Sequence, residues 1–402
     1  MQAPTVPGSL RRRIDEDISF LTQFRHDLHR HPEIMYEEHR TSQRVREELE
    51  KTGISFVGGL AGGTGTVAFL PSSHGAESAK TVGLRADMDA LPIHEETGLP
   101  YASTVDGKMH ACGHDGHTTI LLGAVRALIA QPERKNNVLF VFQPAEEGGA
   151  GADRLVQEGV LDGKVIGRPV DVMYGLHGNP WIPQGHFTVR NGPMMAATDE
   201  FKVTIHGKGG HAAMPHRTVD PVMALVQIVS ALQTVCSRNV APVDSLVFSV
   251  TVLRAGHAHN VIPDTTGFEG TMRTLLSETR VLGRKRFEEI VHGVSSAMGC
   301  TAEIDWHVGY PVTVNDVWAT DRFRAIAGDL FGDRVGEEAE PTMGGEDFSF
   351  YGYKVPACFY YAGLMREGDS NPAGLHTPRF DFNDAVICDC VDAMCELALR
   401  EI

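Results

Sequence analysis

The 402-residue sequence predicts an α/β protein: a mixed sheet flanked by helices, with a ferredoxin-like domain inserted into it. Three observations carry this. The first half alternates short β-rich runs with helical stretches, the mark of a sheet with helices on its faces. From about residue 199 to 308 the pattern changes to strand, helix, strand, strand, helix, strand. The chain then returns to apolar strand-like runs and ends in a helix.

In the first half, TVGLRA (81–86), VLFVFQ (138–143) and DVMYGLH (171–177) read as buried strands. HTTILLGAVRALIA (117–130) reads as a helix, because Ile120, Leu121, Ala124 and Leu128 fall on one face. Each of the three strands ends in polar, potentially reactive residues, and in open α/β sheets the active site lies outside the carboxyl ends of the strands. The glycine-rich AGGTGTV (61–67) fits neither phosphate-binding pattern and reads as a hairpin turn. The changed region is assigned strand 200–206, helix 220–236, strands 245–253 and 265–273, helix 279–298 and strand 301–307. That order is the ferredoxin-like arrangement. Asn191-Gly192-Pro193 and Gly309-Tyr310-Pro311 supply turn chemistry at its borders, giving domains 1–195, 196–309 and 310–402, the first and last being two parts of one domain. ACFYYAG (357–363) reads as a further strand, and DAVICDCVDAMCELALREI as the final helix.

Composition narrows the function classes. Lys and Arg total 36 against 52 Asp and Glu, a net charge of −16, which argues against nucleic acid. No apolar run approaches the length of a membrane span. The first twenty residues carry three arginines without an apolar segment behind them, so no secretory signal is expected and the cytoplasm is the expected location. The cysteines number seven, an odd count in a chain long enough to need no staples, so no disulfide framework is expected. Cys388, Cys390 and Cys395 are expected as small buried residues of the last helix. Only Cys112 has neighbours that suggest chemistry.

HACGHDGH (110–117) places Cys112 and His114 two residues apart just before a helix. A thiolate and an imidazole so spaced can reach one metal ion, and a helix N-terminus is expected to favour the thiolate. QPAEEGGAG (143–151) puts Glu146 and Glu147 at a strand end, which suggests one carboxylate on metal and one handling protons. His177 ends a third strand and His376 lies in a loop near the C-terminus. LRADMDALP (84–92) carries Asp87, which could orient a ligand imidazole, and Asp89, which could cap a turn. His26, His29 and His31 on the N-terminal helix are expected as a solvated face and not as ligands.

Taken together, HACGHDGH, PAEEGGAGA (144–152), GLHGNP (175–180), GGEDFSFY (344–351) and LHTPRFDF (375–382) resemble the M20 metallopeptidase family. Within it they resemble the amidohydrolase branch of hippurate hydrolase, N-acyl-amino-acid deacylases and indole-acetyl-amino-acid hydrolases. LHRHPEIMYEEHRTS (28–42), LRADMDALP, GKGGHAAMPH (207–216) and NVIPD (260–264) match as well, so the resemblance runs in order from about residue 24 to about 384. It implies a catalytic domain holding two divalent ions, and an inserted lid and dimerisation domain. Cys112, His114, Glu147, His177 and His376 would be the ligands, with Cys112 bridging, and Glu146 the general acid/base. His211 would polarise the substrate carbonyl, Asn260 and Arg273 would hold a carboxylate, and Gly345 would offer a backbone contact. The run Gly178-Asn179-Pro180-Trp181 departs from the Trp-Pro-Gly-like run of that branch.

The expected activity is therefore hydrolysis of N-acyl amino acids, with a dipeptidase or carboxypeptidase, and a non-catalytic metal-binding protein, as alternatives. Sulfur, imidazole and carboxylate donors suit zinc or manganese, and also cobalt or nickel. A homodimer or homotetramer with a two-fold lid interface is expected, in which His211 acts either in trans or from the lid of its own chain; neither nucleic acid nor membrane is expected as a partner.

Overall fold

The protein is described by a computed structural model over residues 9–402; residues 1–8, on which part of the secretory-signal reading falls, lie outside the described residues. The chain forms two compact units. The first comprises the chain up to Gly192, Val314–Ala339 and Asp347–Ile402, and the second Pro193–Thr313 with Glu340–Glu346.

The first unit is built on an eight-stranded mixed sheet. Its leading strands are β1 (Ser55–Leu60), β2 (Gly65–Leu70), β3 (Thr81–Asp87), β4 (Asn137–Gln143) and β5 (Val172–Pro183). The sheet order is β1, β2, β4, β3, β5, then Ala357–Met365, Phe187–Val189 and Val335–Glu337. β1 and β2 form the hairpin expected at AGGTGTV, turning through Ala61–Gly63, where Gly62 has φ +84°. β4, β3 and β5 run parallel and are followed by the parallel strand 357–365. β3 and β4 are buried along their whole length, which is why they read as unbroken apolar runs rather than alternating ones. Their register, Asp87 opposite Gln143 and Arg85 opposite Gly175, brings the reactive strand ends to one edge.

Helices α1 (Ser9–Arg30), α2 (His39–Thr52) and α3 (His114–Ile129) belong to the same unit. α3 begins three residues earlier than the spacing predicts. Gly113 adopts a left-handed φ of +89°, and the chain enters the helix at His114. Gly123 lets α3 pack closely: a Cβ there would lie 2.8 Å from Val391 of the last helix and 3.0 Å from Leu21 of α1. Cys388, Cys390 and Cys395 are free thiols buried in that last helix, Ile387–Leu399.

One expectation fails on α1. His26 and His31 are partly exposed, but His29 is buried. Its Nδ1 lies 2.9 Å from Asp115 Oδ2 and its Nε2 3.3 Å from Glu95. Burial alone would lower its pKa, yet Asp115 and Glu95 outweigh that and raise it to about 9. Arg25, also fully buried, donates to the same Asp115 oxygen at 2.9 Å and pairs with Asp384 and Asp381. Helical spacing could not reveal this, because the partners lie in three distant segments.

The second unit carries a four-stranded antiparallel sheet in the order Leu246–Ala255, Thr265–Thr274, Ala197–His206, Thr301–Val308. With helices Pro221–Thr234 and Ser277–Ala297, the sequence of elements is β-α-β-β-α-β. Phe201, Phe248, Phe268 and Phe287 meet in its core with ring centroids 4.8–6.3 Å apart. Strand 197–206 alternates buried and open positions, so one sheet face is core and the other is polar. Among the described residues no helix is long and apolar enough to cross a membrane.

Candidate metal centre

The donors expected from the sequence in the first unit meet at the carboxyl edge of its parallel strands. Cys112 lies in the segment before α3, Glu147 in the turn after β4, and His177 within β5. His376 reaches them from the C-terminal loop. Its backbone N–H donates to Ala111 O at 2.8 Å, and it takes a left-handed φ of +58°. Phe382, six residues on, packs against α3; a Cβ on Gly116 would lie 2.6 Å from its ring and one on Gly113 3.0 Å. Glycines at 113 and 116 therefore let the segment bearing Cys112 and the loop bearing His376 close on each other.

Cys112 Sγ is 3.2 Å from His177 Nε2 and 3.3 Å from His376 Nε2, and His376 Nε2 is 3.1 Å from Glu147 Oε1. Two candidate groups, Cys112–His114–His177 and Cys112–Glu147–His376, each have donor atoms within 4.8 Å of one another and share Cys112. A third, His114–Glu146–Glu147, links them. Ligands bonded at ~2.0–2.3 Å in a tetrahedral shell stand about 3.3–3.8 Å apart, close to these spacings.

Hydrogen bonding aims the imidazoles. His177 Nδ1 is 2.8 Å from the Gly178 carbonyl, which can only accept, so the proton sits on Nδ1 and the Nε2 lone pair faces Cys112. His114 Nδ1 lies 3.3 Å from Asp89 Oδ1, while its buried Nε2 has no hydrogen-bond partner among the described residues. His117 differs. Its Nδ1 is 2.7 Å from Asp87 Oδ1 and its Nε2 accepts from Gly178 N at 2.9 Å, so both nitrogens are used within the protein. Asp87 thus holds His117 and, at 2.6 Å, Arg85; its nearest approach to His114 is 3.8 Å.

Asp89, which the sequence left as a possible cap, sits at the centre of the site. Oδ1 accepts from Glu146 N at 3.0 Å and Oδ2 from Glu147 N at 2.9 Å. Sequence reasoning also passed over Asp347 of GGEDF. It accepts from Arg85 Nη2 (2.9 Å), Gln143 Nε2 (2.8 Å) and Ala152 N (2.9 Å), bracing the same turn from behind. The carboxylates within the strand-end motifs were visible, but their partners lie 57 to 262 residues away.

The electrostatics correct a second expectation. Burial and the nearby Glu147, Glu146 and Asp87 push the Cys112 thiol well above its usual range, overriding any help from the helix start. For His114, burial would lower the pKa, but Asp87, Asp89 and Glu147 raise it to about 10. Burial with His117 nearby keeps His177 well below its ordinary value, hence neutral and able to donate a lone pair. Such a pocket, crowded with carboxylates around a buried thiol and an unpartnered imidazole nitrogen, fits divalent cations, whose charge stabilises the thiolate.

The other expected residues lie in the second unit. His211 and Asn260 come together on a two-stranded ribbon, with Val261 paired to His211 and Ala212 N donating to Asn260 O at 3.1 Å. Both are exposed. His211 Nδ1 accepts from Ala213 N at 3.1 Å, which places the neutral ring's proton on Nε2. Arg273 is elsewhere, paired with Thr198 on the sheet. Gly345 shares that neighbourhood, since a Cβ on it would lie 2.3 Å from Thr198 Cγ2. From Thr265, beside the ribbon, to Arg273 the strand runs about 27 Å at ~3.4 Å per residue. Within one chain the structure therefore does not bring Arg273 to His211 and Asn260. Arg273 opens into a polar cleft of about 480 Å³ that also presents Lys202, Glu200, Glu269 and Asp305.

Comparison with known proteins agrees with this picture. Residues 83–400 match the model of peptidase family M20/M25/M40. The chain is 39% identical to the Arabidopsis thaliana protein named IAA-amino acid hydrolase ILR1-like 4, over 96% of this chain and 86% of that one. It is 38% identical to N-acetylcysteine deacetylase of Bacillus subtilis, over 94% and 96%. Among solved structures, the Bacillus subtilis YXEP protein, described as a dinuclear metal binding peptidase from the M20 family, superposes with a TM-score of 0.81 at 34% identity, covering 96% of this chain and 98% of that one.

Because Cys112 belongs to both donor groups and Cys395 to neither, Cys112→Ala is expected to lose most bound metal, and Cys395→Ala none. Elemental analysis of the purified variants checks this; full occupancy in Cys112→Ala would refute the shared position.

Proposed function

The chain belongs to peptidase family M20/M25/M40, a family of hydrolases, and from that footing we propose that it hydrolyses the amide bond of N-acyl amino acids. Cys112, His114, Glu147, His177 and His376 would hold two divalent ions, Cys112 being the donor common to both groups. The mixed donor set is compatible with zinc or manganese, and also with cobalt or nickel. When bound, such ions supply Lewis-acid activation of water and of the carbonyl.

The observation that carries the reading is Glu146. It is a buried carboxylate on the same turn as Glu147; its oxygens reach His114 and Glu147, but it lies outside both donor groups that share Cys112. A purely structural metal site has no use for a second carboxylate there, which disfavours a non-catalytic binding protein. Glu146 takes the proton from the attacking water and returns it to the departing amine. His211, its proton on Nε2, donates a hydrogen bond to the carbonyl oxygen as negative charge develops.

Arg273 reads the substrate carboxylate, a task suited to its planar fork. It is half-buried, and among the described residues no carboxylate lies within ion-pair distance of it; its Nε donates to Thr271 Oγ1 at 3.0 Å. The acidic residues around its cleft make the assignment a sharp one to test. An N-acyl amino acid is expected to be turned over at least about tenfold faster, by kcat/KM, than its carboxamide, since a lost charged hydrogen bond costs ~1.5–3 kcal/mol. Steady-state kinetics on hippurate, N-acetyl amino acids, indole-acetyl-aspartate, dipeptides and their amides measures it. Equal turnover of acid and amide would remove Arg273 from substrate binding, and preference for dipeptides would favour the peptidase alternative.

The distance between Arg273 and the His211–Asn260 ribbon supports a site completed by two copies, with one chain supplying Arg273 and the other His211. Glu146→Ala and His211→Ala homo-oligomers are each expected to be nearly inactive. Mixed after subunit exchange, they should regain up to about a quarter of wild-type activity per site, by random pairing in a two-fold dimer. No recovery, with exchange verified by differently tagged chains, would mean that His211 acts within its own chain or takes no part.

A further inference from the structure

The segment Glu33–Glu38, within the conspicuous motif LHRHPEIMYEEHRTS, supplies none of the donors above, yet it is built into the turn that carries Glu146 and Glu147. Glu38 is fully buried at the start of α2. Its Oε1 accepts from Tyr36 N and from Ala145 N, both at 2.9 Å, and its Oε2 accepts from Thr64 Oγ1 at 2.8 Å. The Tyr36 hydroxyl donates to Gly149 O on the far side of the same turn, and Arg154 covers the Tyr36 ring at 4.0 Å. Ala90, the residue after Asp89, donates its N–H to Glu33 O at 2.8 Å. The segment therefore holds both ends of the Glu146–Glu147 turn, together with the chain that positions Asp89.

That turn needs holding. Ala145 has φ +56° and Ala150 φ +54°, left-handed conformations that side-chain-bearing residues rarely adopt. Such backbone persists only where the surroundings over-determine it. Tyr36 itself has φ +62°. Pro144 has no N–H, so the first amide of the turn is Ala145 N, and it is buried. Buried N–H groups demand partners. Glu38 satisfies this one, and Asp89 the next two.

We propose that Glu38 is a positioning residue for the metal centre: by binding Ala145 N it fixes the left-handed entry to the turn, and through it the directions of Glu146 and Glu147. It touches neither substrate nor metal. The inference rests on the assignment of Glu146 and Glu147 made above.

Glu38→Ala leaves Ala145 N without its acceptor. Glu38→Gln keeps an acceptor oxygen for Ala145 N and Tyr36 N, and the Thr64 hydroxyl can accept from the new amide. Val45→Ala, a buried position on α2, serves as a control for general loss of stability. Each protein, stripped of metal, is titrated with cobalt(II) and followed by cobalt–thiolate absorption, with thermal midpoints and hydrolysis kinetics measured alongside. Glu38→Ala is expected to bind cobalt roughly 10- to 100-fold more weakly, the usual cost of losing an outer-shell partner. Its absorption band should change shape and its kcat should fall more than its KM rises. Glu38→Gln should stay within about threefold of the parent, and Val45→Ala should keep its cobalt affinity and kcat despite a lower thermal midpoint. Unchanged cobalt affinity and spectrum in Glu38→Ala, or equal losses in Val45→Ala, would overturn the positioning role alone. A parent protein with no thiolate band, or one retained in Cys112→Ala, would overturn the metal assignment and this inference with it.

Discussion

The site depends on one carboxylate. Asp89 accepts hydrogen bonds from the backbone of both Glu146 and Glu147 and faces the ring of His114. A turn leaving the buried end of a parallel strand carries buried amides, and each unpaired one is costly. Asp89 answers two of those demands, Glu38 a third and Asp347 the amide of Ala152 behind the turn. The price is a dense group of buried acids. The Glu38 carboxyl, pushed up to about 7 by burial and by Asp89, shows how poorly that charge is compensated within the protein. Arg85 answers part of it through Asp87 and Asp347. Cys112, Glu147 and the histidines beside them are the donors that divalent cations would balance.

Much of this was legible in the amino-acid pattern. β3 and β4 were visible because burial on both faces leaves unbroken apolar runs, and the strand and helix order of the second unit because each element keeps its own period. The donors were visible because thiol, imidazole and paired carboxylates at strand ends are chemically conspicuous. What stayed hidden was pairing across long separations. His29 looks like one more histidine on a charged helix until Asp115 and Glu95 fold against it. The thiol of Cys112 illustrates a different limit: the helix start was apparent from sequence, whereas the burial and the three acids that outweigh it were not.

The second unit poses the complementary problem. Its strand from Thr265 to Thr274 separates the His211–Asn260 ribbon at one end from Arg273 at the other. A small substrate cannot span that length, so residues that look like parts of one binding site in the sequence belong to two places in one chain. In the proposed reading, two copies would bring both sets to a single substrate, and the ribbon that carries His211 and Asn260 is exposed.

Division of labour between the two adjacent glutamates is the central claim, and exchange of each carboxylate for its amide tests it most directly. Glu146→Gln should keep its metal, by elemental analysis, while hydrolysis slows by about 10²–10⁴ or more. Glu147→Gln should lose metal. If Glu146→Gln loses its metal while Glu147→Gln keeps it and is slow, the two roles are reversed and the account of the site is wrong.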